Sequence, residues 1–272
     1  MNDLEAFAKL VRALDPWRGQ LVFIGGWGHR LHTLHPKANK LDYQAVFTRD
    51  TDLAFHNKTP LEGDIKSALM AKGFKEEFSG DFKPPIARYT LGDQQGGFYA
   101  EFLTPLIGSG YKRGGAPDAT LPAAGISAQK IRHLDILMVD PWTVTVGPPH
   151  NDVPLDVPAE LQVANPLCFM VQKLLIKKDR KKAKQSQDLL YVYDTIQLFS
   201  QHLPEFKDNW EKVVKPALQS ASETVLRECE ESFASVTDEL RGAAAIPQDR
   251  NGLTAAEMQA VCKYAFSNIM GI

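Results

Sequence analysis

The sequence predicts an α+β fold: a small mixed β-sheet with helices on one face, followed by a C-terminal helical domain. Three observations predict it. An apolar strand pattern at Leu21 to Ile24 breaks at Gly25-Gly26 into a helical pattern. Strand, helix, strand, helix and hairpin patterns then follow one another up to about Leu103, which places helices against a mixed sheet. From Asn165 onward the periodicity is helical. The expected division is a catalytic domain over residues 1–160 and a helical domain over 161–272.

Leu4, Phe7, Leu10, Val11 and Leu14 recur at helical spacing and predict an amphipathic first helix, ended by Asp15-Pro16. Gln20 to Ile24 is the first strand, and a helix runs from Gly26 to about Leu34. Lys37 to Gln44 is polar and reads as loop; Val46 to Phe55 is the second strand. Leu61 to Lys72 carries apolar residues at helical spacing, with Gly73 as its cap. Ile86 to Leu91 and Gly97 to Leu103 form a hairpin around the turn Gly92 to Gly96. Thr104 to Ala124 is rich in Gly and Pro and reads as a surface loop. Leu134 to Val139, Trp142 to Val146 and Val153 to Val157 read as further short strands. Pro166 suits a helix start, and Leu167 to Ile176 is apolar. A second helix of this part reaches about His202, and Phe206 to Leu218, Glu223 to Leu240 and Thr254 to Ile269 read as three more.

Composition sets the class. The chain has 272 residues, a net charge of −2 and 44% hydrophobic residues. That is enough for one large or two modest domains; the near-neutral charge argues against a protein that coats nucleic acid by bulk charge but leaves room for a local basic patch. Cys168, Cys229 and Cys262 are widely spaced, as reduced thiols rather than a disulfide frame or zinc site. The N-terminus is acidic, unlike a signal peptide, and no apolar run approaches a membrane span. A cytoplasmic protein with no membrane partner is expected.

Chemistry concentrates at two stretches. Asp50 and Asp52 stand two apart in a strand, so both project from one face. Two like charges side by side repel unless a cation or an arginine lies between them. Gly25-Gly26 opens a helix, whose N-terminal N–H groups suit a phosphate. Together these point to a nucleotide held by backbone and metal. Read alone, Asp50 and Asp52 are more simply two surface carboxylates at a strand end. Arg49, beside them, suits either nucleotide phosphates or charge balance. Glu101 stands out as a carboxylate within the apolar run Phe98 to Leu103; its plainer reading is the solvent face of an edge strand. Lys173 lies inside an apolar helix, where a cation needs an anion or a snorkelling path to water. Lys184 and Asp188 share a helix face as an i,i+4 pair.

Gly25-Gly26 followed by Asp50-x-Asp52 resembles the signature of the polymerase-beta-like nucleotidyltransferase superfamily. Glu101 to Leu106, then Pro166-x-x-Phe169-x-x-x-Lys173-Leu174-Leu175 with Lys184 and Asp188, resemble the nucleotidyltransferase-like families that include the AbiE-system toxins. The interval from Gly26 to Asp50 is longer than usual there, so Gly28 to Phe47 is expected to hold a longer helix plus a loop. The resemblance implies a Mg²⁺- or Mn²⁺-dependent enzyme moving an NMP from an NTP to a hydroxyl. It implies that Asp50 and Asp52 hold metal, that Glu101 completes that metal site or acts as base toward the acceptor hydroxyl, that Gly25-Gly26 and Lys173 meet the triphosphate, and that Lys184 holds phosphate with Asp188 orienting Lys184 or Lys173. The acceptor hydroxyl is expected on RNA, a protein or a small molecule; the basic run Lys177 to Lys184, with Tyr111-Lys112-Arg113, would attract the phosphate backbone of RNA, and the analogy with the AbiE-type toxins implies a toxin–antitoxin or defence role with an antitoxin protein as partner. Two alternatives stay open: transfer to a small molecule of the antibiotic type, and a catalytically silent nucleotide- or RNA-binding protein of the same fold.

Overall fold

A computed structural model describes residues 2–44, 46, 48–56, 61–92, 97–250 and 252–272. The chain forms two compact units. One comprises Met1–Leu34 and Phe47–Ala164, the other His35–Val46 and Asn165–Ile272.

The first unit opens with α1 (Asp3–Ala13), where Asn2 and Glu5 close a reciprocal capping box. Strand β1 (Val22–Ile24) runs directly into α2 (Gly25–His32). Then come β2 (Asp50–Ala54), α3 (Ile65–Ala71), β3 (Lys75–Ser79), β4 (Ile86–Leu91) and β5 (Phe98–Pro105). The unit closes with β6 (Thr120–Ala123), β7 (Ile126–Ile131), β8 (Trp142–Val146) and β9 (Ala159–Val163). These strands form one nine-stranded sheet in the order β3-β4-β5-β2-β1-β9-β8, with β7 on β5 and β6 on β7. It is mixed: β1 pairs β2 antiparallel and β9 parallel, while β2 pairs β5 parallel.

The period-2 alternation of β2 and β5 separates two faces. Leu53, Ala100 and Phe102 join a buried cluster with Phe7 of α1, Trp27 of α2 and Leu69 of α3. Phe7 stacks on Trp27 with ring centroids 4.2 Å apart. The helices thus cover one face, as predicted, and leave Asp50, Asp52 and Glu101 on the other.

Several predicted elements need correction. Leu134 to Val139 is not a strand: Asp135–Met138 form a 3₁₀ turn that buries Ile136, Leu137 and Met138. A short apolar run does not by itself distinguish strand from helix. Val153 to Val157 is irregular, and the strand follows it at Ala159–Val163; Pro154 and Pro158 remove the donors a ladder there would need. The stretch read as a surface loop contributes the end of β5 and all of β6. Strands β3 and β7 have no counterpart among the predicted elements. The hairpin is present as β4 and β5, paired antiparallel; Asp93 to Gly96 of its turn lie outside the described residues, as does Phe47 of the second strand. The helix after Gly25 is eight residues long, not extended.

In the second unit, Asn165 caps α4 (Pro166–Ile176) with Pro166 in its first turn. Helix α5 (Lys182–Leu198) follows, then α6 (Leu203–Asn209), a π turn at Trp210–Val214 and α7 (Lys215–Leu218). The helix expected over Glu223 to Leu240 is two, α8 (Ala221–Phe233) and α9 (Asp238–Ala244). Thr237 makes the break by accepting a hydrogen bond from Leu240 N as the cap of α9. Helix α10 (Ala255–Met270) closes the unit. The segment His35–Val46 is held within it: Asn39 N donates to Leu198 O at 2.7 Å, and Arg250 Nη2 donates to Gln44 O at 3.2 Å.

Candidate active site

The polar face of the sheet is built by strand register. Ile24 pairs with Asp52, Asp52 with Glu101, and Glu101 with Arg88, so one row crosses β1, β2, β5 and β4. The neighbouring row brings Asp50 opposite Tyr99. The three predicted carboxylates therefore lie on adjacent strands and the same face. All three are partly buried.

Gly25 shows why a glycine follows β1. Its φ is +63°, a left-handed backbone, and a Cβ there would stand 2.3 Å from Asp52 Oδ2. The Asp52 carboxylate thus rests directly over the start of α2, where the helix dipole and unshared N–H groups favour negative charge. Gly28 serves packing instead: a Cβ would meet Phe23 O at 2.9 Å, so the glycine lets α2 lie close against β1. His32, buried in α2, hydrogen-bonds Ala164 O through Nε2 at 2.7 Å and fixes the helix to the end of β9. Gly26 is buried in the first turn of α2, and Arg49, just before β2, is exposed.

Glu101 has a cation on it. Arg88 Nε and Nη2 both stand 2.7 Å from Glu101 Oε1. The same guanidinium lies over the Tyr99 ring, 4.3 Å from its centroid. Burial works against the Arg88 charge, but Glu101 outweighs it and holds the guanidinium above its ordinary pKa. Burial, then Asp50 and Glu101, push the Tyr99 hydroxyl up to about 12, so it is neutral across the physiological range. Sequence reasoning missed both residues. The signal available was the alternation Arg88, Thr90 opposite Ala87, Tyr89 in β4, which marks a polar face but not its partner.

In the helical unit, Lys173 is 9% exposed and its Nζ stands 3.0 Å from Asp188 Oδ1. Arg180 Nε donates to Asp188 Oδ2 at 3.2 Å. The Lys173 ammonium also lies over the rings of Phe169 and Tyr191, at 5.2 and 5.4 Å. The apolar run of α4 thus buries a lysine by giving it one carboxylate and two aromatic faces. Lys184 does not pair with Asp188; it donates to Gln187 Oε1 at 3.0 Å. Much of the basic run is engaged locally. Lys177 donates to Ser232 Oγ at 2.8 Å, and Lys178 meets Glu228 and Glu231 of α8.

A nucleotidyltransferase family matches residues 2–215 of this chain. The chain belongs to that family. A similar solved structure is an antigenic nucleotidyltransferase-like protein from Paracoccidioides brasiliensis, 14% identical, covering 86% of this chain and 97% of that one, with a TM-score of 0.39. A comparison with curated proteins finds no match.

For this nucleotidyltransferase, the donor set suits a hard divalent cation: carboxylate oxygens on one face, beside a glycine that keeps the backbone clear of Asp52. Among the described residues, no three His, Cys, Asp or Glu side chains are gathered as a ready metal cage. Glu101 gives one carboxylate oxygen, Oε1, to Arg88, so a cation shared with Asp50 and Asp52 would meet Glu101 beside an arginine already in place.

Proposed function

We propose that this nucleotidyltransferase moves an NMP from an NTP to a hydroxyl acceptor with a divalent cation, Mg²⁺ or Mn²⁺, held by Asp50 and Asp52 and completed by Glu101. The observation that supports the reading is that Asp52 stands against the backbone of Gly25 and opposite Glu101 on the next strand. A divalent cation supplies charge neutralisation on the phosphates and a more acidic acceptor hydroxyl. The acceptor oxygen attacks the α-phosphorus, the bond to the bridging oxygen breaks, and pyrophosphate leaves. The N–H groups opening α2 at Gly25-Gly26 bind phosphate oxygens. Lys173, oriented by Asp188, and Lys184 are assigned phosphate charge, and Arg49 balances charge beside Asp50. In this reading catalysis belongs to residues 1–160 and support to the helical residues 161–272.

RNA is the acceptor we favour, with a toxin- or defence-type role, an antitoxin protein as partner and a cytoplasmic setting. The three described cysteines are free and buried, which suits a reducing compartment. Among the described residues, no helix is long and apolar enough to cross a membrane. A small-molecule acceptor is the first alternative. A catalytically silent nucleotide- or RNA-binding protein is the second, and the Arg88–Glu101 pair favours it, because it neutralises the third acid.

The test is label transfer. The protein is incubated with each α-labelled NTP and Mg²⁺ or Mn²⁺, together with total RNA, a protein extract or a small-molecule pool. Label moving to RNA is the expected result. Asp50→Asn and Asp52→Asn should each lose about a hundredfold or more, the scale seen when one preorganised electrostatic group is removed. Transfer that survives both substitutions rules out this site.

A further inference from the structure

We propose that Arg88 is a resident cation on the third carboxylate, and that it makes metal and nucleotide bind this face cooperatively. The inference rests on the reading of Asp50, Asp52 and Glu101 as the metal site. Arg88, Glu101 and Asp52 follow one another across three strands, so a cation reaching Glu101 from the Asp52 side approaches the carboxylate Arg88 already holds. Two guanidinium nitrogens are committed to one oxygen, Oε1, at 2.7 Å. Neither a metal nor Arg88 shares that carboxylate without loss, because two cations on one anion repel.

The exchange has a place to go. The Glu101 side chain is 19% exposed and Arg88 is 40% exposed, so the arginine swings more readily than the glutamate. Tyr99 gives the guanidinium a ring to rest on, 4.3 Å from its centroid, whether or not it holds Glu101. Tyr99 lies opposite Asp50 in the register. A guanidinium kept over that ring stays beside the two aspartates, with its planar fork free for a phosphate. Glu77, across from Arg88 on β3, accepts from Thr90 Oγ1 at 3.1 Å; it is engaged on its own hairpin.

A metal on Glu101, even through Oε2, therefore binds against the charge that Arg88 holds on Oε1, and a nucleotide that takes Arg88 relieves that repulsion. By linkage the effect is mutual: NTP raises the affinity for metal, and metal raises the affinity for NTP by the same factor. Without nucleotide, Arg88 keeps the acid occupied and holds the metal affinity down. Arg88 is a positioning residue in this scheme, acting on Glu101 first and on phosphate second.

The test reads metal binding rather than turnover. Free Mn²⁺ is titrated by electron paramagnetic resonance against wild type, Arg88→Gln, Arg88→Lys and Asp52→Asn, with and without a non-hydrolysable NTP analogue. Wild type should bind Mn²⁺ weakly alone and more tightly with the analogue. Arg88→Gln should bind Mn²⁺ alone about threefold or more tighter than wild type, the scale of one partly exposed ion pair, and its gain from the analogue should shrink. Arg88→Lys keeps a charge without the fork, so it should fall between the two, and it carries the test if the glutamine variant does not fold. If wild type binds Mn²⁺ through Asp52 but removing the guanidinium does not tighten binding, the Arg88 proposal is wrong and the metal site stands. If Mn²⁺ binding is absent or indifferent to Asp52→Asn, the metal-site reading falls and takes this proposal with it.

Discussion

Two glycines three positions apart in α2 do different work, and substitution separates them. At Gly25 the backbone is left-handed and the nearest side chain is Asp52. An alanine there bears about 1–2 kcal/mol of conformational cost and drives the carboxylate off the helix start. At Gly28 the backbone is ordinary helix, but the nearest atoms are Phe23 O at 2.9 Å and Phe23 C at 3.2 Å. These backbone atoms yield only if α2 lifts off β1, an overpacking cost of about 1–3 kcal/mol. Gly28→Ala is expected to lower the midpoint of urea unfolding while the Asp52-dependent Mn²⁺ affinity stays within about twofold. Gly25→Ala should weaken Mn²⁺ binding as well as stability. Equal effects on binding from both would mean that Gly25 has no special bearing on Asp52.

At the scale of the element, the polar face that carries the candidate site was legible because alternation fixes which side chains share a face. Asp50 and Asp52 on one side of Thr51 and Leu53 was enough to place both on the polar face, and Glu101 between Ala100 and Phe102 gave the matching parity. The partner on Glu101 was not legible, since which strand lies beyond β5 is a long-range choice that no local pattern encodes. The same limit hid β3, whose sequence Lys75-Glu76-Glu77-Phe78-Ser79 has no apolar alternation and pairs as an edge with β4. Among the helices, periodicity found α5 but not the charge inside it. Asp194 is fully buried there and accepts from Arg250 Nη1 and Nη2, at 2.5 and 2.9 Å, and from the Tyr43 hydroxyl at 3.4 Å. The Arg250 guanidinium lies 3.6 Å from the Tyr43 ring centroid. Breaking such a pair leaves a buried charge without its counter-ion. Arg250→Met is therefore expected to destabilise the protein by about 3–5 kcal/mol. The double variant Asp194→Leu with Arg250→Met should recover a good part of that loss in the same urea titration. A double variant as unstable as the single one would show that packing rather than charge dominates this position.

At the scale of the whole chain, the two units are interleaved in sequence. The long interval between Gly26 and Asp50 is not a longer helix: α2 ends at His32, and His35–Val46 belong to the helical unit. A polar stretch such as Lys37 to Gln44 reads as loop from its composition, and nothing in its own residues says which core it serves. Its attachment is carried by partners far along the chain: Asn39 on the end of α5, Gln44 and Tyr43 on Arg250. The first residue of this insertion gives the arrangement a pH dependence. Burial, then the positive charge of Lys37 and the neighbouring His202, hold the His35 pKa below its ordinary value. The unfolded chain then binds a proton that the folded chain resists, so stability rises with pH across that interval. His35 contributes fully above an unfolded pKa of about 6.5, and that contribution is lost as the pH falls toward the lower folded value. Urea unfolding between pH 7.5 and 5 should thus show a declining midpoint in wild type and a shallower decline in His35→Gln, which carries no titrating group. A variant that tracks wild type throughout that range would place the acid sensitivity elsewhere than at the start of the inserted segment.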